Sequence, residues 1–243
     1  MPFADVHDTM MDVMAKAKAA LGDKYLVCGG AVHPGPNGHL VMAYAFLKAM
    51  GFDGDLGTIT VDMKGPATAT GGHKVLGGTN GTAQIESSRY PFCFYGKPDD
   101  PNGTASILPF VPFNQDLNRL TLVVKHLDAA QAKVTWGDQS KTFPQADLET
   151  GLNLAAEFLD NPFCAAFQKL DGAVAQKQAF ETFLIRNFIS PSAWAMEFLK
   201  SDPDLTAAVN ALHDKFWARE AKYADDVRAL VTPVKYTITV EPA

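Results

Sequence analysis

The sequence has few of the features that mark a specialised class of protein. It contains only three cysteines, Cys28, Cys93 and Cys164, which lie far apart. None belongs to a Cys-x-x-Cys pair, and an odd number cannot all pair within one chain. A metal cluster, a thioredoxin-like site and a complete disulfide framework are therefore not expected. Because cysteine is among the most often buried residue types, we expect buried thiols.

Charge and hydropathy exclude further classes. There is no basic run and no Lys/Arg-rich helix face, and the formal net charge is -6, so nucleic acid is not an expected partner. No apolar run reaches the roughly 20 residues that cross a bilayer. The N-terminus as given has no basic stretch followed by an apolar segment, so a cytoplasmic location is the default expectation. The composition, with 47% hydrophobic and 20% charged residues, is that of a globular protein.

The N-terminal segment, residues 1–54, predicts an α-β-α unit. Residues 24–28 are typical of a short strand, and residues 29–38 form a loop rich in glycine and proline. Two runs with helical spacing of apolar residues follow a potential N-cap and end before a glycine. These runs are residues 8–21, between Asp8 and Gly22, and residues 38–50, between Asn37 and Gly51.

The rest of the chain, residues 55–243, predicts a β-rich domain with inserted helices. Alternating segments bounded by turn residues predict a β-sandwich-like or barrel-like block. The predicted strands are residues 57–63, 83–85, 92–95, 107–113, 120–127, 133–136 and 140–143. Helices are expected within residues 148–231, at residues 161–188, 192–200 and 202–231. Residues 234–240 alternate like a strand that returns to the β block, so the predicted fold class is α+β with a helical hairpin.

One segment carries chemistry that can be named. His33-Pro34, Gly38-His39 and Met42-Ala43 occur in the order and spacing of the last catalytic block of SGNH (GDSL-type) ester hydrolases. The chain thus resembles the C-terminal portion of such an enzyme, closely over residues 3–54 and more loosely beyond. Residues 114–118 and 151–155 resemble C-terminal extensions of some bacterial members.

The resemblance implies that residues 1–54 are a remnant of a flavodoxin-like unit and that the substrate is a small carboxylic ester. It also implies that His33 is the general base, with no cofactor and no metal. A serine hydroxyl is a weak nucleophile at neutral pH and needs an imidazole within hydrogen-bond reach. His39 is better interpreted as a helix-start residue that packs or bonds within the loop.

The chain departs from the family pattern in its acid and its nucleophile. Gly30 stands three residues before His33, where the family has the acid of the triad. The chain has no Gly-Asp-Ser block and no Gly-x-Ser-x-Gly motif, so the complete Ser-His-Asp triad is absent and the nucleophile is unidentified. None of the following serines has the strand-turn-helix setting of a nucleophile elbow: Ser87, Ser88, Ser106, Ser140, Ser190, Ser192 and Ser201.

Three interpretations follow for His33. It is the base of an ester hydrolase whose nucleophile is unusual or borrowed across an oligomer interface. Alternatively, the chain is a non-catalytic remnant or accessory domain that binds a partner or a carbohydrate-like ligand, and His33 makes only a local hydrogen bond. Zinc chemistry is disfavoured because the spacing of His33 and His39 is not that of a His-Glu-x-x-His motif and no carboxylate lies at the usual offsets.

An isolated α-β-α unit also makes a physical prediction. Its strand would have unpaired edges, and each helix would expose an apolar stripe. We therefore expect either self-association into a homo-oligomer or tight docking on the C-terminal part of the same chain.

Overall fold

The computed structural model describes residues 3–23, 27 and 33–243 and has an α+β fold, as the sequence predicts. The chain divides into two compact units. Unit 1 comprises Met1–Phe163 and Pro233–Ala243, and unit 2 comprises Cys164–Thr232. The predicted domain boundary at residue 54 falls inside unit 1, and it stays a prediction about the origin of the segment. The predicted strand at residues 24–28 lies, apart from Val27, outside the described residues.

The described residues contain the following helices and strands in chain order. The helices are α1 (Val6–Leu21), α2 (Pro36–Ala49), α3 (Phe113–Leu117), α4 (Gln145–Thr150), α5 (Leu154–Glu157), α6 (Cys164–Leu184), α7 (Ser190–Leu199) and α8 (Pro203–Ala229). The strands are β1 (Asp55–Asp62), β2 (Thr68–Ala69), β3 (His73–Gly77), β4 (Thr82–Ser87), β5 (Arg119–Lys125), β6 (Gln131–Trp136), β7 (Gln139–Pro144), β8 (Leu152–Asn153) and β9 (Val234–Pro242).

Both N-terminal helices begin earlier than the sequence suggested. Asp5, rather than Asp8, caps α1, because the Asp5 side chain accepts a hydrogen bond of 2.9 Å from the Asp8 backbone N–H. Helix α2 is capped by Gly35 and starts at Pro36, whose fixed φ suits the first helical position. Asn37 therefore lies within the first turn, where it is fully buried.

The strands form two sheets. In the first, the order is β2-β1-β5-β8, and β1 and β5 are parallel. In the second, the order is β3-β4-β9-β6-β7, with all pairs antiparallel. Strand β9 lies between β4 and β6, which confirms that the C-terminal residues return to the β block. The β6–β7 hairpin turns at Gly137 and Asp138, since Trp136 pairs with Gln139.

Two predicted strands are wrong. Residues 92–95 form a loop, and residues 107–113 contain the end of a 3-10 turn (Thr104–Ile107) and the start of α3. The rings of Phe92, Phe94 and Phe113 pack on one another with centroids 5.0 to 5.7 Å apart. Short apolar runs of this kind carry no periodicity that separates strands from other buried segments.

Helices α1 and α2 share a hydrophobic cluster with the segment before β5. The cluster comprises Val13, Ala17, Val27, Leu40, Val41, Ile107, Val111, Phe113 and Leu117. The α1–α2 layer is thus docked on its own chain, which is one of the two arrangements that the sequence predicted. The other, self-association, stays a prediction.

Unit 2 consists of α6, α7 and α8. A π-helical turn (Ile185–Ile189) precedes α7, next to Pro191, which has no N–H to continue the α-helical pattern. Asp202 caps α8 by accepting a hydrogen bond of 3.0 Å from the Leu205 N–H, as Asp202-Pro203 suggested. No helix within the described ranges has the length and apolar character needed to cross a bilayer.

The structure describes two of the three cysteines, Cys93 and Cys164. Cys93 is buried, as expected, whereas Cys164 is only half-buried. The prediction for Cys28 falls outside the described residues.

Candidate active site

The candidate base, His33, lies on the loop immediately before α2 and is exposed to solvent. Pro34 and Pro36 flank Gly35, the N-cap residue of α2. Each proline ring fixes the backbone angle φ of its own residue. No hydrogen bond joins the His33 imidazole to another described residue. The ring is therefore accessible and its two nitrogens are available to groups from elsewhere.

Gly38 explains how this loop is held. A Cβ atom at this position would lie 2.4 Å from the Val27 carbonyl oxygen and 2.9 Å from the Pro34 Cβ. Only glycine allows the first turn of α2 to approach the backbone at Val27 and the proline ring this closely. The glycine thereby allows Pro34, the residue after His33, to pack against the first turn of the helix.

His39 has the local role that the sequence suggested. Its Nδ1 donates a hydrogen bond of 3.0 Å to the Gly35 carbonyl oxygen, and its backbone N–H donates to the same oxygen at 2.9 Å. The side chain is exposed and closes the first turn of α2. In the described structure, no hydrogen bond joins His39 to His33.

A polar contact anchors α2 to α3. The Tyr44 hydroxyl donates a hydrogen bond of 2.6 Å to Asp116 Oδ2, and Lys48 Nζ lies 3.4 Å from the same oxygen. Burial and the Asp116 carboxylate raise the pKa of Tyr44 to about 12. The Tyr44 hydroxyl and the Lys48 ammonium hold the pKa of Asp116 below its usual value. The helix that follows His33 is thus fixed at both its start and its middle.

A serine and a histidine do meet in unit 1, but away from His33. His73 Nδ1 lies 2.6 Å from Ser87 Oγ, and His73 Nε2 lies 2.8 Å from the Leu56 carbonyl oxygen. Since a carbonyl can only accept, Nε2 carries the proton and Nδ1 accepts from the serine hydroxyl. The Tyr236 hydroxyl must then donate to Ser87 Oγ across 2.8 Å.

This chain of hydrogen bonds is a buried structural network. Ser87 has no exposed surface, and His73 and Tyr236 are also buried. Burial lowers the pKa of His73 and raises the pKa of Tyr236 to about 12. The network joins the second sheet to Leu56 in the first. A substrate cannot reach this serine without unfolding, so the pair does not supply the missing nucleophile.

A second serine–histidine contact lies in unit 2. Ser192 Oγ is 3.1 Å from His213 Nε2 and also 3.2 Å from the Ile189 carbonyl oxygen. If the serine proton is given to Ile189, the imidazole must donate to Oγ and cannot act as its base. The Phe188 ring packs edge-on against His213, with centroids 4.9 Å apart. No carboxylate among the described residues is seen to bond to this imidazole, so the pair lacks the third member of a triad.

Carboxylates do orient two other imidazoles. Asp62 Oδ1 accepts from His126 Nδ1 at 2.8 Å, at the carboxyl ends of the parallel strands β1 and β5. His126 has a positive φ of 57°, and the imidazole holds the pKa of Asp62 below its usual value. His7 and Asp8 form a second pair, at 2.9 Å, on the exposed start of α1. Neither imidazole has a hydroxyl nucleophile bonded to it in the described part of the chain.

The histidines and aspartates that could ligate a metal ion by residue type include His33, His39 and His73 together with Asp5, His7 and Asp8. The structure does not gather them: His73 bonds within the β block, whereas His7 and Asp8 lie on α1. Over residues 3–23, 27 and 33–243, there is no group of three or more histidine, cysteine, aspartate or glutamate residues placed to hold a metal ion.

The networks around Ser87 and Tyr44 could not be found by motif. Their members are separated by 149 and 72 residues, and each is a common residue type in an ordinary setting. The available signal was weak: His73, Ser87 and Tyr236 all occupy inward positions of alternating strands.

Comparison with known proteins gives the fold. No family model and no curated protein matches the sequence. A solved structure that matches is BT4096, a gut microbial diltiazem-metabolizing enzyme, with 20% sequence identity and a TM-score of 0.65. The match covers 97% of this chain and 61% of the other, so this chain spans about three fifths of the longer protein. The chain therefore shares its α+β fold with a large part of that enzyme.

Proposed function

We propose that this chain is part of a carboxylic-ester hydrolase of the SGNH type, acting on small esters, with His33 as the general base. The observation that carries the proposal is the placement of this residue. Its imidazole is exposed and unpaired among the described residues, directly before a helix whose inner face packs in the core. An imidazole that a substrate can reach is what proton transfer at that substrate requires.

In such a reaction, neutral His33 accepts the proton of an attacking hydroxyl while the hydroxyl oxygen bonds to the ester carbonyl carbon. The imidazolium then returns the proton to the leaving alkoxide. The described residues offer His33 neither the hydroxyl nor an orienting acid. Both must therefore come from residues outside the described ranges, from another copy, or from another polypeptide.

The comparison adds modest support. The matching structure belongs to an enzyme named for metabolising a small organic drug. A small-molecule substrate is thus compatible with this fold. Small organic molecules are therefore the proposed class of substrate, and diltiazem is a suitable probe.

A second candidate is a non-catalytic accessory domain. It is favoured by the two serine–histidine contacts, since one is sealed in the core and the other lacks an acid. On this alternative, His33 is a surface residue without a catalytic partner. It predicts no saturable turnover of any ester and no effect of His33→Ala beyond a small change in stability.

The deciding experiment is ester hydrolysis by the full chain and two variants. Exposed imidazoles attack activated esters on their own, so His33→Ala is compared with His7→Ala, which removes another exposed histidine from unit 1. With p-nitrophenyl acetate, p-nitrophenyl butyrate and diltiazem as substrates, we expect saturable turnover that falls at least about 100-fold in His33→Ala and not in His7→Ala.

Two results would contradict the proposal. One is a linear, non-saturating rate that both variants lower equally, which is the signature of unspecific imidazole attack. The other is an unchanged kcat/KM in His33→Ala. Far-UV circular dichroism of each variant shows whether the fold is retained, so loss of structure is not mistaken for loss of the base.

A further inference from the structure

Helix α1 has a second apolar stripe besides the one it buries. Val13 and Ala17 face the core, whereas Met11, Met14 and Leu21 recur at helical spacing on a different, exposed face. A surface helix normally covers that side with charged residues.

The end of α2 continues the same property. Leu40, Val41 and Ala45 are buried, but Phe46, Met50 and Phe52 are exposed. Helices α1 and α2 pack against each other. Phe46 lies on α2, and Met50 and Phe52 lie in the turn that follows it, so all six exposed apolar residues lie on or next to this pair of helices.

The size of this surface matches a dimer interface. The six side chains of the two stripes are each between 38% and 59% exposed. At about 200 Å² per fully exposed large side chain, they present about 600 Å² per copy. Complete burial of these side chains in both copies would remove about 1,200 Å² from solvent, the lower end of the range for stable, specific interfaces.

The charge on this surface also suits self-association. Lys18 lies in the α1 stripe between Met14 and Leu21, and its ammonium is paired with Asp23 at 2.8 Å. The stripe therefore carries no uncompensated charge that would repel an identical surface. Methionine side chains are flexible and adapt to a facing surface, which favours a self-complementary contact.

We propose that the exposed apolar face of α1 and α2, formed by Met11, Met14, Leu21, Phe46, Met50 and Phe52, binds a second copy of this chain. The contact is isologous, with the same face used by both copies. It does not depend on the proposed ester hydrolysis, because it rests on exposed area and charge alone.

The test is the mass of the full chain in solution, measured by sedimentation velocity and light scattering at about 1 to about 100 μM, a range that brackets a micromolar Kd. The wild type is expected at twice the monomer mass of 26.2 kDa. Met11→Glu and Phe46→Glu are each expected to be monomeric. The matched control is Phe198→Glu, which changes a more exposed aromatic residue of unit 2 and should leave the dimer intact.

Circular dichroism and thermal melting establish that each variant is folded, and Met50→Glu replaces any variant that is not. The proposal is overturned if the wild type does not self-associate at the highest concentration. A complex with a different protein in place of a second copy would also overturn it. It is also overturned if both stripe variants remain dimeric, or if Phe198→Glu dissociates the dimer as well. The mass measurement does not depend on turnover. A dimer without esterase activity would therefore support this proposal and contradict the proposed function.

Discussion

Removing the Ser87 hydroxyl is expected to destabilise unit 1 far more than the loss of one hydrogen bond. In the folded chain, Ser87 Oγ donates to His73 Nδ1 and accepts from the Tyr236 hydroxyl. Ser87→Ala leaves His73 Nδ1 and the Tyr236 hydroxyl buried and unpaired, while His73 Nε2 keeps its bond to the Leu56 carbonyl. Each such group costs about 1–3 kcal/mol, so we expect a loss of about 2–6 kcal/mol in the free energy of unfolding. The free energy of unfolding of a typical domain is about 5–15 kcal/mol, so this loss is about a third of it.

Two further variants separate the network from generic effects. Tyr236→Phe removes only the donor to Ser87, and the serine keeps its bond to His73, so we expect a loss of about 1 kcal/mol. Ser140→Ala is the matched control. Its hydroxyl also bonds to a neighbouring hydroxyl, that of Thr135 at 2.8 Å, but on the exposed surface. A change within about 0.5 kcal/mol is expected there.

The assay is urea denaturation of the full chain, followed by far-UV circular dichroism and by tryptophan fluorescence. Trp136 contacts the Tyr236 ring, with centroids 5.8 Å apart, so its emission reports on the core that contains the network. If Ser87→Ala shifts the transition no further than Ser140→Ala does, the hydrogen bonds assigned to Ser87 do not exist in solution and the reasoning fails.

Two other predictions concern the same unit. Burial lowers the pKa of His73 below its ordinary value of 6.5. Between the two values the unfolded chain binds more protons, so the stability that neutral His73 contributes is lost as the pH falls below about 6.5. The stability gap between wild type and His73→Gln, measured by urea denaturation, should therefore shrink from pH 7 to pH 5, and a constant gap would contradict this. Gly38→Ala should cost about 1–3 kcal/mol through its contact with the Val27 carbonyl, whereas Gly172→Ala, with no atom within 4 Å, should stabilise α6 by up to about 1 kcal/mol. Thermal melting of both variants tests this, and equal changes in Tm would contradict the close packing assigned to Gly38.

Some elements could be predicted from the sequence because their signals are local. The alternation in β1 and β5 corresponds directly to inward and outward positions. Asp202-Pro203 marks the start of α8 because capping and the fixed proline φ act within one turn. The alternation of residues 234–240 likewise predicts strand β9, although its partners β4 and β6 lie far away in the sequence.

The errors arise where long-range packing decides. Residues 107–113 are apolar enough for a strand, but their side chains pack against α1 and α2 instead of pairing with a sheet. The choice between Asp5 and Asp8 as the N-cap changes the helix by three residues, less than one turn, which periodicity does not resolve. The site is only partly predictable. The motif locates His33, but the motif does not show which carboxylate or hydroxyl lies near it in the folded protein.

A hydrogen bond between a serine and a histidine is therefore not enough to identify a catalyst in this chain. At His73, the Nε2 proton is held by a backbone carbonyl, which fixes the tautomer that accepts a serine proton. A carbonyl is neutral, however, and it stabilises an imidazolium much less than a carboxylate does. The buried ring resists protonation, as its lowered pKa indicates, and the serine beside it is sealed from solvent. The same contact that is productive in a solvated cleft thus becomes structural in a core. The proposed ester hydrolysis needs an accessible imidazole, and among the exposed imidazoles that the structure describes, His33 is one without a side-chain or backbone partner.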